Sequence, residues 1–170
     1  MRKILRYVLY AVLTTVLGVS TFYIIRTCQE TGRQEKLYEG LQTTAAKKEP
    51  VSAAESETVM LPEYAELYRQ NSDLVGWIRI EDTNINYPVM QSKEPNFYLK
   101  HGFDKKYADC GCPYVQENCD VQKPSDNLVI YGHHMKSGLM FADLERFKDK
   151  DFQIKHKTVS FDTLCERQTY

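Results

Sequence analysis

The chain has 170 residues, with 22 basic against 23 acidic side chains and a formal net charge of −1 at neutral pH. From residue 59 onward there are 14 basic and 17 acidic residues, a net of −3 without a basic stripe, so nucleic acid is not the expected partner. The length suits one domain plus additions, and twelve tyrosines with seven phenylalanines supply the aromatic mass of a β-rich core.

Residues 1–6 are short and basic; residues 7–25 then run for 19 positions without a charge. As a helix this run spans about 28 Å, close to the ~30 Å hydrocarbon core of a bilayer. Tyr7 and Tyr10 at one end and Tyr23 at the other suit the two interfaces, and the basic front favours a cytoplasmic N-terminus. The run is longer than a signal-peptide core and no A-x-A-like site ends it, so a single-pass anchor is expected, with the rest of the chain outside the cell. Arg26 stands where a lipoprotein site at Cys28 would need a small apolar residue. Residues 26–58 read as an extracellular spacer. Only Leu37, Tyr38, Leu41 and Val51 are sizeable apolar groups there, too few to bury a core.

The folded domain is expected over 59–170. Pro62 suits the first turn of a helix, and Leu61, Tyr64, Ala65 and Tyr68 recur at i, i+3, i+4 and i+7. Asn71-Ser72-Asp73 ends that helix. Residues 77–80 and 85–89 alternate as strands around the turn Glu81-Asp82-Thr83-Asn84, and Pro88 confines the second strand to an edge or a strand end. Residues 92–109 read as loop and short helix, with Lys105, Lys106 and Asp109 on a solvated face.

Five cysteines stand at 28, 110, 112, 119 and 165. Cys110-Gly111-Cys112 with Cys119 raises a zinc site, but C-x-C without a second pair departs from the usual C-x₂₋₄-C spacing, so no metal is assigned. A Cys110–Cys119 disulfide and reduced loop thiols remain open.

The central stretch is Asn127 to Met135. A turn-forming run, Lys123-Pro124-Ser125-Asp126-Asn127, leads into Leu128, Val129 and Ile130, read as a short buried strand. The strand stops at Gly132, and His133 and His134 follow. A scaffold strand delivering an imidazole, with an ordinary pKa of about 6.5, makes His133 a candidate general acid/base. A surface histidine pair on a loop is the alternative. Met140, Leu144 and Phe147 form a helical stripe packed on the strands; residues 158–161 form a further strand, 162–166 a turn and 167–170 the start of a returning strand.

Several of these segments together resemble the class B sortases, cell-wall transpeptidases of Gram-positive bacteria. The resemblance is carried by Asn71-Ser72-Asp73-Leu74-Val75-Gly76-Trp77-Ile78-Arg79-Ile80, by Thr83-Asn84-Ile85-Asn86-Tyr87-Pro88-Val89-Met90-Gln91, and by Phe97-Tyr98-Leu99. It continues through the stretch around His133, Met140-Phe141-Ala142-Asp143-Leu144, Phe152 and His156-Lys157. It implies a mainly β fold with helices (α+β), a partial sortase-type β-barrel behind an N-terminal transmembrane helix, at the cell membrane with the catalytic domain outside. It implies cleavage of a C-terminal sorting signal after threonine, a thioester on cysteine, and transfer to a cell-wall peptide amine, with no cofactor. His133 takes the family's catalytic histidine position and His134 a more variable one. Leu99 takes a position near the substrate groove, with a plain core leucine as the alternative. Pro95 stands where the family often has asparagine, so no polar contact is expected from it.

The resemblance also sets out what is not found. The family nucleophile lies in a T-L-x-T-C-like strand downstream of the histidine, with an arginine on a later strand to steady the oxyanion. Neither motif occurs. Cys165 follows Thr163-Leu164, a partial echo, in a hairpin turn 32 residues after His133, and Arg167 does not match the arginine motif. The chain therefore reads as the N-terminal part of such an enzyme, inactive alone. The rival readings are a non-enzymatic, membrane-anchored extracellular β-module and a different thiol hydrolase pairing His133 with Cys165.

Overall fold

Uncharged Leu, Val, Ala and Tyr in an unbroken run favour a helix whose backbone satisfies itself, and α1 (Arg2–Ala46) is that helix. The computed structural model describes residues 2–46, 60–121, 123 and 127–170, and divides into two units, Met1–Lys36 and Leu37–Tyr170. In the first unit the hydroxyls of Thr14, Thr15 and Thr21 donate back to the carbonyls of Tyr10, Ala11 and Leu17 at 2.8–3.0 Å, which satisfies these three polar groups within the helix. Leu5, Leu17 and Phe22 are exposed. Among the described residues α1 is long and apolar enough to cross a membrane.

The second unit is built on a mixed five-stranded sheet, order β4-β3-β2-β1-β5, with helices against it. The strands are β1 (Leu74–Arg79), β2 (Asn86–Met90), β3 (Tyr114–Val115), β4 (Ile130–Tyr131) and β5 (Ser160–Thr163). The β2–β3 pair is parallel and the others antiparallel. The order is linear, so β4 and β5 are its two edges. Helix α2 (Pro62–Gln70) starts at Pro62 and stops where the Asn71 side chain turns back to the backbone of Asp73. Its buried residues are Glu63, Tyr64 and Leu67; the expected Ala65 and Tyr68 are only half-buried, because the face continues from Tyr64 through Leu67 to Asn71. Tyr64 stacks on Trp77 at 5.9 Å and its hydroxyl donates to the buried Asp162 carboxylate at 2.7 Å. Burial, before that contact, holds the Tyr64 phenol well above the usual tyrosine range.

Several expectations are corrected. Pro88 lies inside a central strand, opposite Trp77, not at an edge. It is tolerated because β3 joins β2 only at Met90↔Tyr114, so beside Pro88 the β3 side asks for no N–H. Tyr38 and Leu41, assigned to a spacer without a core, are 2 % and 5 % exposed in the core of the second unit. Two large side chains three residues apart on the last turns of α1 present one face, and the Gln42 amide adds a bond to the Asn86 carbonyl at 2.9 Å. The run of residues 128–130 is not a buried strand: pairing begins at Ile130, Val129 is 45 % exposed and Tyr131 38 %. With only the two-residue β3 beside it, an edge strand has nothing to bury its second face. The expected start of the domain at Val59, the spacer beyond residue 46 and the turn residues 124–126 lie outside the described residues.

After β4 the chain forms a 3₁₀ helix (Ala142–Lys148) and α3 (Lys150–Lys155), which Asp149 caps through the Phe152 N–H at 2.8 Å. Met140 is fully buried but precedes the helix at φ 58°, and Leu144 is exposed, so of the expected helical stripe only Phe147 packs from the helix against the core. This segment is tied to the β1–β2 turn. Asp143 accepts from the Asn84 N–H at 2.7 Å, Arg146 donates to the Asp82 carbonyl, and His156 Nε2 meets the Asp82 carboxylate at 2.9 Å. Beyond β5 the chain doubles back: Phe161 N–H donates to Gln168, and Val159 and Tyr170 exchange two backbone bonds.

Candidate active site

A glycine followed by a histidine at a strand tip needs room on one side and a partner on the other. At Gly132 a Cβ would sit 2.7 Å from the Phe141 ring, so this ring fills the space a side chain would take. The same residue 141 donates its N–H to the His133 carbonyl at 2.9 Å, closing residues 133–141 into a loop. His133 is thereby turned toward the 3₁₀ turn Phe97–Leu99, where its Nε2 lies 2.9 Å from the Leu99 carbonyl oxygen. The two site residues anticipated from the sequence are thus brought together, through the backbone of Leu99; its side chain is 37 % exposed beside them.

His134 points away, bridging to Met140 and pairing with Glu145 at 3.7 Å on the surface. On β4 itself the half-exposed Tyr131, two residues before His133, stacks with Tyr114 at 5.6 Å. Sequence reasoning did not single out Tyr131, Phe141 or the Leu99 carbonyl. The Tyr131-Gly132-His133 spacing could have pointed to Tyr131 alone, and a backbone acceptor leaves no mark in a sequence.

Cys165 is not brought to His133. With β1 taken as running up the sheet, β4 also runs up and β5 runs down, by the pairings above. His133 follows the upper end of one edge strand; Cys165 follows the lower end of the other. Four strand spacings, about 19 Å along the sheet, separate those edges. The Cys165 N–H donates to the Thr163 hydroxyl, as a turn residue does. Arg167 pairs with Glu63, which is 9 % exposed, and does not face His133. No disulfide links the five cysteines, and Cys110 and Cys112 are buried. Burial holds the Cys112 thiol far above the usual thiol range, the reverse of what a nucleophile needs. Among the described residues no group of three or more His, Cys, Asp or Glu side chains is placed to hold a metal ion.

No family profile matches the chain. Among curated proteins it is similar to sortase B of Listeria monocytogenes, 41 % identical over 101 residues, covering 59 % of this chain and 41 % of that protein. It is also similar to sortase B of Staphylococcus aureus, 29 % identical over 150 residues, covering 88 % of this chain and 60 % of that protein. Among solved structures, a Staphylococcus aureus sortase B–substrate complex superposes with a TM-score of 0.71 at 26 % identity, covering 83 % of this chain and 63 % of that one. The chain spans about half the length of the curated relatives it matches. The mixed sheet with its helices is thus a sortase-type fold.

Proposed function

We infer, from the premise that this chain belongs to the class B sortases, a family of cysteine transpeptidases, that its domain supplies the acid/base half of sorting-signal transfer. Such a transfer must protonate the amine that leaves the cleaved peptide and deprotonate the amine that attacks the thioester. One imidazole serves both steps, and His133 is that group. The observation that carries this is its placement: a loop tied at Phe141 aims the ring at the Leu99 carbonyl, at an exposed edge of the sheet. The peptide is the C-terminal sorting signal of a secreted protein, and the acceptor is a cell-wall peptide amine; the substrate complex of the Staphylococcus aureus relative supports the first. Residues 7–25 anchor the chain in the membrane with residues 1–6 inside, and residues 26–58 followed by 59–170 lie outside.

The chain alone does not turn over: within the second unit Cys110 and Cys112 are buried, and Cys165 follows the edge strand opposite the one that carries His133. The test is hydrolysis of a sorting-signal peptide by the full chain in detergent, with and without the C-terminal strands of a related sortase supplied in trans. No turnover is expected without them, and turnover that His133→Ala abolishes is expected with them. Turnover by the chain alone that disappears in Cys165→Ala would overturn the reading.

A further inference from the structure

Cys110-Gly111-Cys112 drew attention as a metal motif and has no part in the function above. Its place in the fold gives it one. Gly111 sits at φ +58°, in the left-handed region, and packs directly on the turn that faces His133. A Cβ there would collide with the Tyr98 carbonyl and would lie 2.7 Å from the Leu99 oxygen, the atom that His133 Nε2 meets. The neighbouring bonds hold this contact from every side. Cys112 N–H donates to the Tyr98 carbonyl at 2.9 Å, and Gly111 N–H donates to Ala108 at 3.0 Å. The Tyr98 hydroxyl, itself buried, donates to Asp73 at 2.8 Å and accepts from Asn71 at 2.9 Å. Behind Gly111, the buried Tyr38 hydroxyl donates to its carbonyl at 2.8 Å, and the Tyr38 ring is pinned edge-on against Tyr87 at 5.3 Å.

A carbonyl oxygen only accepts, so the ring nitrogen facing Leu99 must carry its hydrogen. We propose that Gly111 is a positioning residue: with no side chain it lets the Leu99 carbonyl hold His133 as the Nε2–H tautomer, which leaves Nδ1 as the nitrogen that exchanges protons with substrate. The Nδ1 lone pair takes the proton of the attacking amine, and the imidazolium so formed returns an Nδ1 proton to a leaving amine, with Nε2–H unchanged throughout. The proton-exchange step rests on the acid/base role proposed for His133; the tautomer does not.

The experiment is nitrogen-15 NMR of the full chain, labelled at histidine and at the Leu99 carbonyl carbon, in detergent. The expected spectrum shows Nε2 protonated and Nδ1 bare, a slowly exchanging Hε2, and a coupling from Nε2 to the Leu99 carbonyl. An Nδ1–H tautomer, or an Hε2 exchanging as fast as in free imidazole, overturns the proposal. In Gly111→Ala, with the rest of the amide spectrum preserved, Hε2 exchange is expected to quicken about tenfold, the scale of one ordinary net hydrogen bond. Wild-type exchange in that folded variant also overturns it. Should Gly111→Ala not fold, Tyr38→Phe decides, since it keeps the ring and removes only the bond behind Gly111: quicker Hε2 exchange supports the proposal and unchanged exchange overturns it. The two readings fail separately. An intact Nε2–H signature with no complemented turnover sinks the transpeptidase reading alone; turnover lost in His133→Ala without that signature sinks this one alone.

Discussion

The two edges of the sheet differ in how they end. At β5 the chain folds back on itself: residues 168–170 pair with 159–161, and Asp162 is buried under Tyr64. At β4 two residues pair on one side only, and Val129 and Tyr131 remain 45 % and 38 % exposed. The first edge is finished by local chemistry; among the described residues the second has no strand paired on its outer side, the arrangement that accepts another strand. His133 belongs to the second. The acid/base candidate is therefore carried by the least buried strand of the unit.

Substitutions weigh that contrast. The largest effect is expected from Trp77→Ala on β1. Trp77 is 1 % exposed, stacks on Tyr64 and donates its indole N–H to Asn86 at 2.7 Å. Its loss should cost about 3–5 kcal/mol in chemical denaturation, against a typical total of about 5–15 kcal/mol. A loss under about 1 kcal/mol would mean that the β1–β5 side does not carry the stability.

A smaller, pH-dependent effect is expected where the helical segment after β4 meets the β1–β2 turn. Both ring nitrogens of His156 face acceptors, Asp82 Oδ2 and the Phe152 carbonyl, and Arg146 is the nearby opposing cation. The Asp82 contact, then the Phe152 carbonyl, hold this imidazole above its ordinary range. A group raised on folding contributes most below its unfolded pKa, about 6.5, and the contribution fades as pH rises through the folded value. Thermal unfolding of the second unit should therefore show a stability component present at acid pH and lost on the alkaline side. Asp82→Asn should flatten it; a component that survives Asp82→Asn would assign it elsewhere.

The smallest effect is expected at the open edge. Val129→Ala should change stability by no more than about 0.5 kcal/mol, and amides of β4 should exchange with solvent well before those of β1 and β2. Strong protection at Ile130 would mean that the edge is covered after all.

Much of this contrast was legible in the chain, and the carbonyl that His133 faces was not. Helix α2 and the β1–β2 hairpin are local: a proline at the first turn, an alternating pattern and a polar turn declare themselves within twenty residues. Leu128, Val129 and Ile130 look like a buried strand because an apolar run does not say whether a partner strand exists on its second side. Pro88 was misplaced for a related reason, since its cost depends on what lies opposite its nitrogen. Tyr38 and Leu41 were hidden by the polar residues around them, which set the average while two side chains made the contact. His133 was named as a candidate from its position after Gly132 and through the family resemblance. Its acceptor was not, because a carbonyl belongs to every residue and only the fold selects Leu99.

The two glycines of the site differ in how they bind the rest of the sequence. At Gly111 the obstacle is main chain, the carbonyls of Tyr98 and Leu99, together with a positive φ, so no exchange of side chains elsewhere makes room there. At Gly132 the obstacle is one side chain, the Phe141 ring. In genetic terms the first position is unconditional, and the second is conditional on a single locus nine residues away. A lineage that shortened residue 141 would release position 132 to vary, directly beside the histidine. Two glycines that look alike in a sequence thus carry opposite evolutionary freedom.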